Sequence, residues 1–208
     1  MNTPVHNLRP RRQSMLPNVI FVLIVANGLM YAAQHQLGMS FTRALALWSF
    51  NSPGFEPWQL VTHAFLHHPQ LLQHILFNMF LLWMFGRDVE HVMGEKRFAL
   101  YYLVCIVGAG ITQLTFSALT GQRIIGMGAS GGVFGVMLAY GMLFPNRTVQ
   151  MIFPPIAMRA WTMVLVFGVV ELFLGVTGLA PGVGNFAHLG GMLFGFMLLK
   201  FWQKRHRR

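Results

Sequence analysis

Four polar side chains stand in stretches that are otherwise apolar: His74, Asn78, Ser130 and His188. A serine hydroxyl becomes an effective nucleophile when an adjacent base takes its proton. A neutral imidazole can take that proton and later return it to a leaving amine. His74 and Asn78 are spaced i, i+4 and share one helical face. Both carry N–H groups of the kind that hold a developing oxyanion, and the backbone N–H of Ser130, near a helix start, is a third candidate. Singly, each residue has a plainer account, with Ser130 bonded to backbone and Asn78 bridging helices. Together they make a set suited to acyl transfer.

Glycines surround two of the four. Ser130 lies in Gly126-Met127-Gly128-Ala129-Ser130-Gly131-Gly132-Val133-Phe134-Gly135. Gly128/Gly132 and Gly131/Gly135 are small-xxx-small pairs, which allow close helix approach in a membrane. His188, Gly191 and Gly195 recur at i, i+3, i+7 and share one helical face. Packing that face on the Ser130 helix would bring hydroxyl and imidazole together.

The elements that must position these groups are membrane spans. Of the 208 residues, 55% are apolar and only 10% charged, against about 25% charged in soluble domains. The mean hydropathy is +0.54. This composition excludes a soluble globular domain, a disordered chain and a disulfide scaffold; the single Cys105 can form no intrachain disulfide. A spanning helix needs about 20 apolar residues. Six candidates are Leu16–Ala33, Leu72–Val89, Phe98–Leu119, Ser130–Phe144, Ala157–Val176 and Phe186–Trp202. The basic stretch before the first and the small residues after it also fit a signal peptide, although its apolar core is long for one.

The net charge of +10 marks topology rather than a nucleic-acid partner. Thirteen of the 15 Lys and Arg fall at the termini or in the loops after spans two and four, leaving Arg43 and Arg123 opposite. Both termini are therefore expected in the cytoplasm, which requires an even number of spans. The expected organisation is a cytoplasmic segment 1–15, a six-helix membrane domain 16–202 and a basic cytoplasmic tail 203–208. Between spans one and two lies an outer loop, Gln34–Leu71, holding Trp48, Phe50, Phe55, Trp58 and Phe65. Aromatic residues at this density suit the membrane interface, so a folded, partly embedded loop is expected; a simple amphipathic surface helix is the alternative.

Spans two, four and six all run inward, so His74 with Asn78, Ser130 and His188 start at the same outer face. Ionisable and polar groups within spans are functional candidates by default. From Ser130 to Phe144 is about 22 Å of helix, against a hydrocarbon core of about 30 Å. That places Ser130 about 8 Å below the outer boundary, in a cavity that must admit water.

At these residues the sequence resembles the rhomboid family of intramembrane serine proteases. The likeness rests on Gly-Ala-Ser-Gly at 128–131, Ala-His-Leu-Gly-Gly at 187–191 and His-Ile-Leu-Phe-Asn at 74–78. It covers about Trp58 to Trp202. The resemblance implies an all-α, polytopic, six-helix bundle. It implies Ser130 as nucleophile and His188 as general base, a dyad without an acidic third member; Asp88, the only Asp, lies on the cytoplasmic side. His74 and Asn78 match oxyanion-stabilising positions. Phe134 matches a position where an aromatic ring lies against the catalytic histidine, often as Tyr. Gly128, Gly131, Gly135, Gly191 and Gly195 support the packing. Implied substrates are transmembrane proteins with a small residue before the cut and helix-breaking residues in the span. The implied setting is the bilayer of a bacterial plasma membrane, with the site opening outward.

One departure is that Trp58-Gln59 replaces the family's frequent Trp-Arg, which would remove an arginine contact to loop backbone or headgroups. The segment His67-His68-Pro69-Gln70 is also slightly long. Glu171 in span five is expected to act as an acceptor for nearby polar groups, or to polarise a network near substrate entry. Gln113 in span three is a candidate for holding water. No cofactor or metal is expected: His35, His63, His67 and His68 lack ligand spacing, and there is no His-Glu-x-x-His. A channel or transporter would predict internal repeats, and none is visible. A non-catalytic rhomboid-fold protein that binds membrane proteins would predict loss of the serine or the histidine, and both are present.

Overall fold

The structure, a computed structural model, describes residues 18–151, 155–180 and 184–206. The segment expected before Leu16, and Leu16 itself, lie outside the described residues, as do Arg207 and Arg208. Seven α-helices are described: α1 Val19–Leu45, α2 Gln59–Thr62, α3 Leu72–Met93, α4 Glu95–Thr120, α5 Ser130–Leu143, α6 Ala160–Thr177 and α7 Asn185–His206. A single 3-10 turn, His63–Phe65, follows α2. Two antiparallel strand pairs complete the described residues: β1 Leu47–Trp48 with β2 Ile125–Gly126, and β3 Thr148–Gln150 with β4 Ala157–Arg159.

This is a mostly helical, polytopic membrane protein. By length and composition, α1, α4 and α6 can each cross a membrane. Leu29, Phe77, Phe173 and Val176 present apolar side chains outward, as lipid-facing surfaces do. The centre is α5, in which ten of 14 residues are buried. It packs among α3, α4, α6 and α7. Leu82 and Phe85 of α3, Tyr101, Tyr102 and Cys105 of α4 and Val133, Val136 and Met137 of α5 form the core. The N-terminus of α1 is tied to the end of α3. Asn18 accepts the Phe21 N–H at 2.9 Å, and Glu90 accepts the Val19 N–H at 2.6 Å. Such side-chain acceptors satisfy N–H groups that a helix start leaves free.

Several expected boundaries change, among them α3, which runs on past Val89 to Met93, and α4, which starts at Glu95. The first helix does not stop at Ala33. It continues to Leu45 with a break at Gly38, whose φ of 77° is open to glycine at little cost. The stretch from Ala157 to Arg159 does not begin a span: its backbone pairs with Thr148–Gln150 as a hairpin, and α6 starts at Ala160. The last helix extends through the expected start of the tail to His206.

The connection from α1 to α3 is tied together by side chain-to-backbone bonds. Gln34 of α1 meets both backbone groups of His67, donating to its carbonyl and accepting its N–H at 2.9 Å each. Thr62 Oγ1 donates to the Leu45 carbonyl at 2.7 Å and Trp48 Nε1 to that of Arg43 at 2.7 Å. Gln59 is buried. Its Nε2 donates to the Gly54 carbonyl at 2.8 Å and to that of Ala44 at 3.4 Å, and its Oε1 accepts the Trp48 N–H at 3.2 Å. Where an arginine contact is lost, the shorter amide supplies donors and an acceptor to three backbone groups.

His63 and His67 are buried in this connection. Burial pushes His63 down to about 4, against the pull of the Gln59 carbonyl at its Nδ1. Burial, then the nearby His74, pushes His67 down to about 3. Unfolded, each binds a proton near the ordinary 6.5. Below that pH the unfolded chain binds more protons, so the stability they allow is complete above 6.5 and is lost as pH falls towards 4 and 3. Thermal denaturation in detergent should give a lower midpoint at pH 5 than at pH 7. His67→Phe should narrow that difference. Equal native midpoints at the two pH values would contradict this account.

Candidate active site

The chain reaches Ser130 through a backbone path that needs glycine at position 128. Strand β2 is held against β1, with Gly126 opposite Leu47, and the Gly128 N–H donates to the His63 carbonyl at 3.0 Å. Gly128 has φ 134°, and a Cβ there would stand 3.0 Å from His74 Nε2 and 3.6 Å from Ser130 Oγ. The connection from α1 to α3 thus fixes the segment that delivers Ser130 to the first turn of α5.

Across from it, α5 and α7 meet backbone to backbone. A Cβ on Gly191 would run into the carbonyl of Gly131, and one on Gly135 would meet Cys105 as well as the Gly191 carbonyl. Gly132 faces the Tyr102 ring of α4 rather than α7. Gly195 likewise faces α4, through Tyr101 and Cys105, so the expected three-residue face meets α5 only in part. The Tyr101 hydroxyl then donates to the Gly135 carbonyl at 2.7 Å, joining the three helices.

This approach places His188 Nε2 2.8 Å from Ser130 Oγ. The Phe134 ring lies against the imidazole with centroids 4.3 Å apart and planes 2° from parallel. A hydroxyl with an imidazole nitrogen at this distance can lose its proton as it attacks a carbonyl.

His74, Asn78, Ser130, Phe134, His188 and Gln113 line one cavity of about 900 Å³. His74 Nδ1 accepts the His68 N–H at 3.3 Å. Its neutral ring therefore carries its proton on Nε2, the atom facing Gly128. Asn78 Nδ2 donates to the His74 carbonyl at 2.8 Å, a bond that uses one of its two amide hydrogens. Gln113 Oε1 accepts the Ala187 N–H at 3.1 Å, just before His188.

The resemblance implies a pair without an acidic third member; in the structure Glu171 Oε2 lies 3.0 Å from His188 Nδ1. The same oxygen accepts the Asn185 amide at 2.6 Å, in line with its expected role as an acceptor. Asn185 is the residue that sequence reasoning passed over. Its i, i+3 spacing to His188 was the available signal.

These features define a class: a polytopic helical membrane protein with a serine–histidine pair in a buried cavity. The family model described as Rhomboid domain matches residues 54–204, and the chain belongs to the rhomboid family. It is similar to RHOMBOID-like protein 6, mitochondrial, of Arabidopsis thaliana, with 34% identity over 73% of this chain and 45% of that protein. RHOMBOID-like protein 4 of the same plant is 37% identical over 70% of this chain and 34% of its own length. Rhomboid protease GlpG of Yersinia pestis is 29% identical over 76% and 53% respectively. The chain thus spans about a third to a half of the length of the curated relatives it matches.

The close backbone approach gives a stability prediction. Gly191→Ala should cost about 1–3 kcal/mol or more, because a backbone carbonyl cannot step aside as a flexible side chain can. Gly28→Ala, where nothing lies within 4 Å of the added atom, should leave the detergent melting midpoint unchanged or slightly raised. Equal midpoints for the two variants would contradict the packing described.

Proposed function

We propose that the chain is an intramembrane serine endopeptidase that cuts transmembrane segments of membrane proteins near the outer face of the bilayer. The observation that carries this reading is the 2.8 Å contact between His188 Nε2 and Ser130 Oγ. Membership of a family that includes proteins named rhomboid proteases supports it. In this reading α1, α3, α4, α5, α6 and α7 are six spans, and residues 16–202 form the catalytic domain. Segment 1–15 and tail 203–208 lie in the cytoplasm, the connection between α1 and α3 is partly embedded, and the membrane is a bacterial plasma membrane.

The chemistry follows from the groups present. An intact substrate helix hides its carbonyls in its own hydrogen bonds, so the segment must unwind locally before it reacts. His188 takes the Ser130 proton as Oγ forms a bond to the carbonyl carbon. The carbonyl oxygen becomes an oxyanion held by the His74 Nε2–H, the Asn78 amide and the Ser130 N–H. His188 then gives its proton to the leaving amine, and the C–N bond breaks to leave an acyl group on Ser130. Water attacks that ester with His188 again as base, and Gln113 is the candidate to position it. Hydrolysis restores the hydroxyl.

The test is cleavage of a generic transmembrane substrate by purified protein in liposomes. Ser130→Ala and His188→Ala should each lose activity by about 10³-fold or more. Asn78→Ala should lower kcat by about 10²-fold with little change in KM. Cleavage persisting in both the serine and the histidine variant would overturn the proposal.

A further inference from the structure

Helix α6 holds to the bundle in an uneven way. Of its 18 residues, the buried ones among those described are Ala160, Met163 and Val164 near its start, and then Glu171. A carboxylate is an expensive group to place within a membrane helix, and it persists there when partnered. Both partners of Glu171 are on the first turn of α7. Asn185 donates to Oε2 at 2.6 Å, and His188 Nδ1 stands 3.0 Å from the same oxygen. The carboxylate lies off the Nδ1–H axis, so this is a close charge contact rather than a directed hydrogen bond. His188 Nδ1 is buried and has no hydrogen-bond partner; Glu171 is the acid within reach.

We infer that Glu171 is a positioning residue, outside the reacting pair, that holds the His188 imidazole in the tautomer and orientation that pair needs. The inference rests on the roles assigned above to Ser130 and His188. For Nε2 to accept the Ser130 proton, the neutral ring must carry its hydrogen on Nδ1. That is the atom facing the carboxylate, so Glu171 selects the working tautomer. When Nε2 gains the proton, the ring becomes a cation 3.0 Å from an anion, and the charge that builds in the transition state is stabilised. The proton stays on the imidazole, and Glu171 neither gains nor passes one. Three groups then constrain one ring: Phe134 at its face, Ser130 at Nε2 and Glu171 at Nδ1.

α6 brings Glu171 to the ring, α5 brings Ser130 and Phe134, α7 brings Asn185, α4 brings the uncharged Gln113, and α3 brings His74 across the cavity. Of these, only Glu171 can carry a negative charge as a carboxylate.

The experiment is steady-state cleavage of a transmembrane substrate in liposomes, with the native chain, Ser130→Ala, Glu171→Gln and Glu171→Asp. Glu171→Gln keeps an acceptor oxygen for Asn185 and removes the charge. It should lower kcat by about 10-fold to 100-fold and leave KM within about twofold. Glu171→Asp should recover part of kcat. Native kcat in Glu171→Gln would overturn the inference. So would equal losses of kcat in the Gln and Asp variants, since a restored charge would then restore nothing. If native protein and Ser130→Ala cleave alike, the assignment of Ser130 fails instead, and the two failures are thereby told apart.

Discussion

Everything at the site depends on how closely two backbones can lie. A hydroxyl on α5 and an imidazole on α7 meet at 2.8 Å because Gly191 lies against the Gly131 carbonyl with no side chain between. In a bilayer, apolar side chains gain little by leaving lipid for each other, so close packing and interhelical hydrogen bonds carry association. A single Cβ at that crossing would separate the helices and pull His188 from Ser130. The Tyr101 bond to the Gly135 carbonyl adds α4 as a third wall, which fixes the crossing from the side opposite the cavity.

The second constraint comes from outside the bundle. The segment leading to Ser130 holds glycine at 126 and 128, and Gly128 adopts a backbone conformation that other residues rarely take. Rigidity is supplied by the connection between α1 and α3, which pairs with that segment through β1 and β2 and through the His63 carbonyl. That connection is in turn held by side-chain amides, Gln34 and Gln59, bonded to backbone. The geometry of the reacting pair is thus set by helix packing on one side and by a network of backbone bonds on the other.

Much of this was legible in the residues. The helices announce themselves by apolar length, and α5 and α7 by glycines at helical spacing beside a serine and a histidine. Local and periodic signals of that kind survive in a single sequence. What was not legible came from partners on different helices. Nothing in the spacing of Glu171 points to His188, since the contact depends on how α6 sits beside α7. The reading of Glu171 as an acceptor named no partner for it. Gln59 is a similar case, because its value lies in which carbonyls surround it. The start of α6 was misplaced because Ala157 and Met158 extend an apolar run, while the backbone pairing with Thr148–Gln150 that claims them leaves no mark in composition.

The central claim is that Ser130 is a nucleophile made reactive by its setting, among other hydroxyls that are not. The direct measurement is intact-mass analysis of the protein after exposure to a fluorophosphonate in detergent, followed by peptide mapping of the adduct. The account predicts one adduct, on Ser130, absent after denaturation and absent from His188→Ala. No adduct on the folded native chain, or an adduct on another hydroxyl, would contradict it.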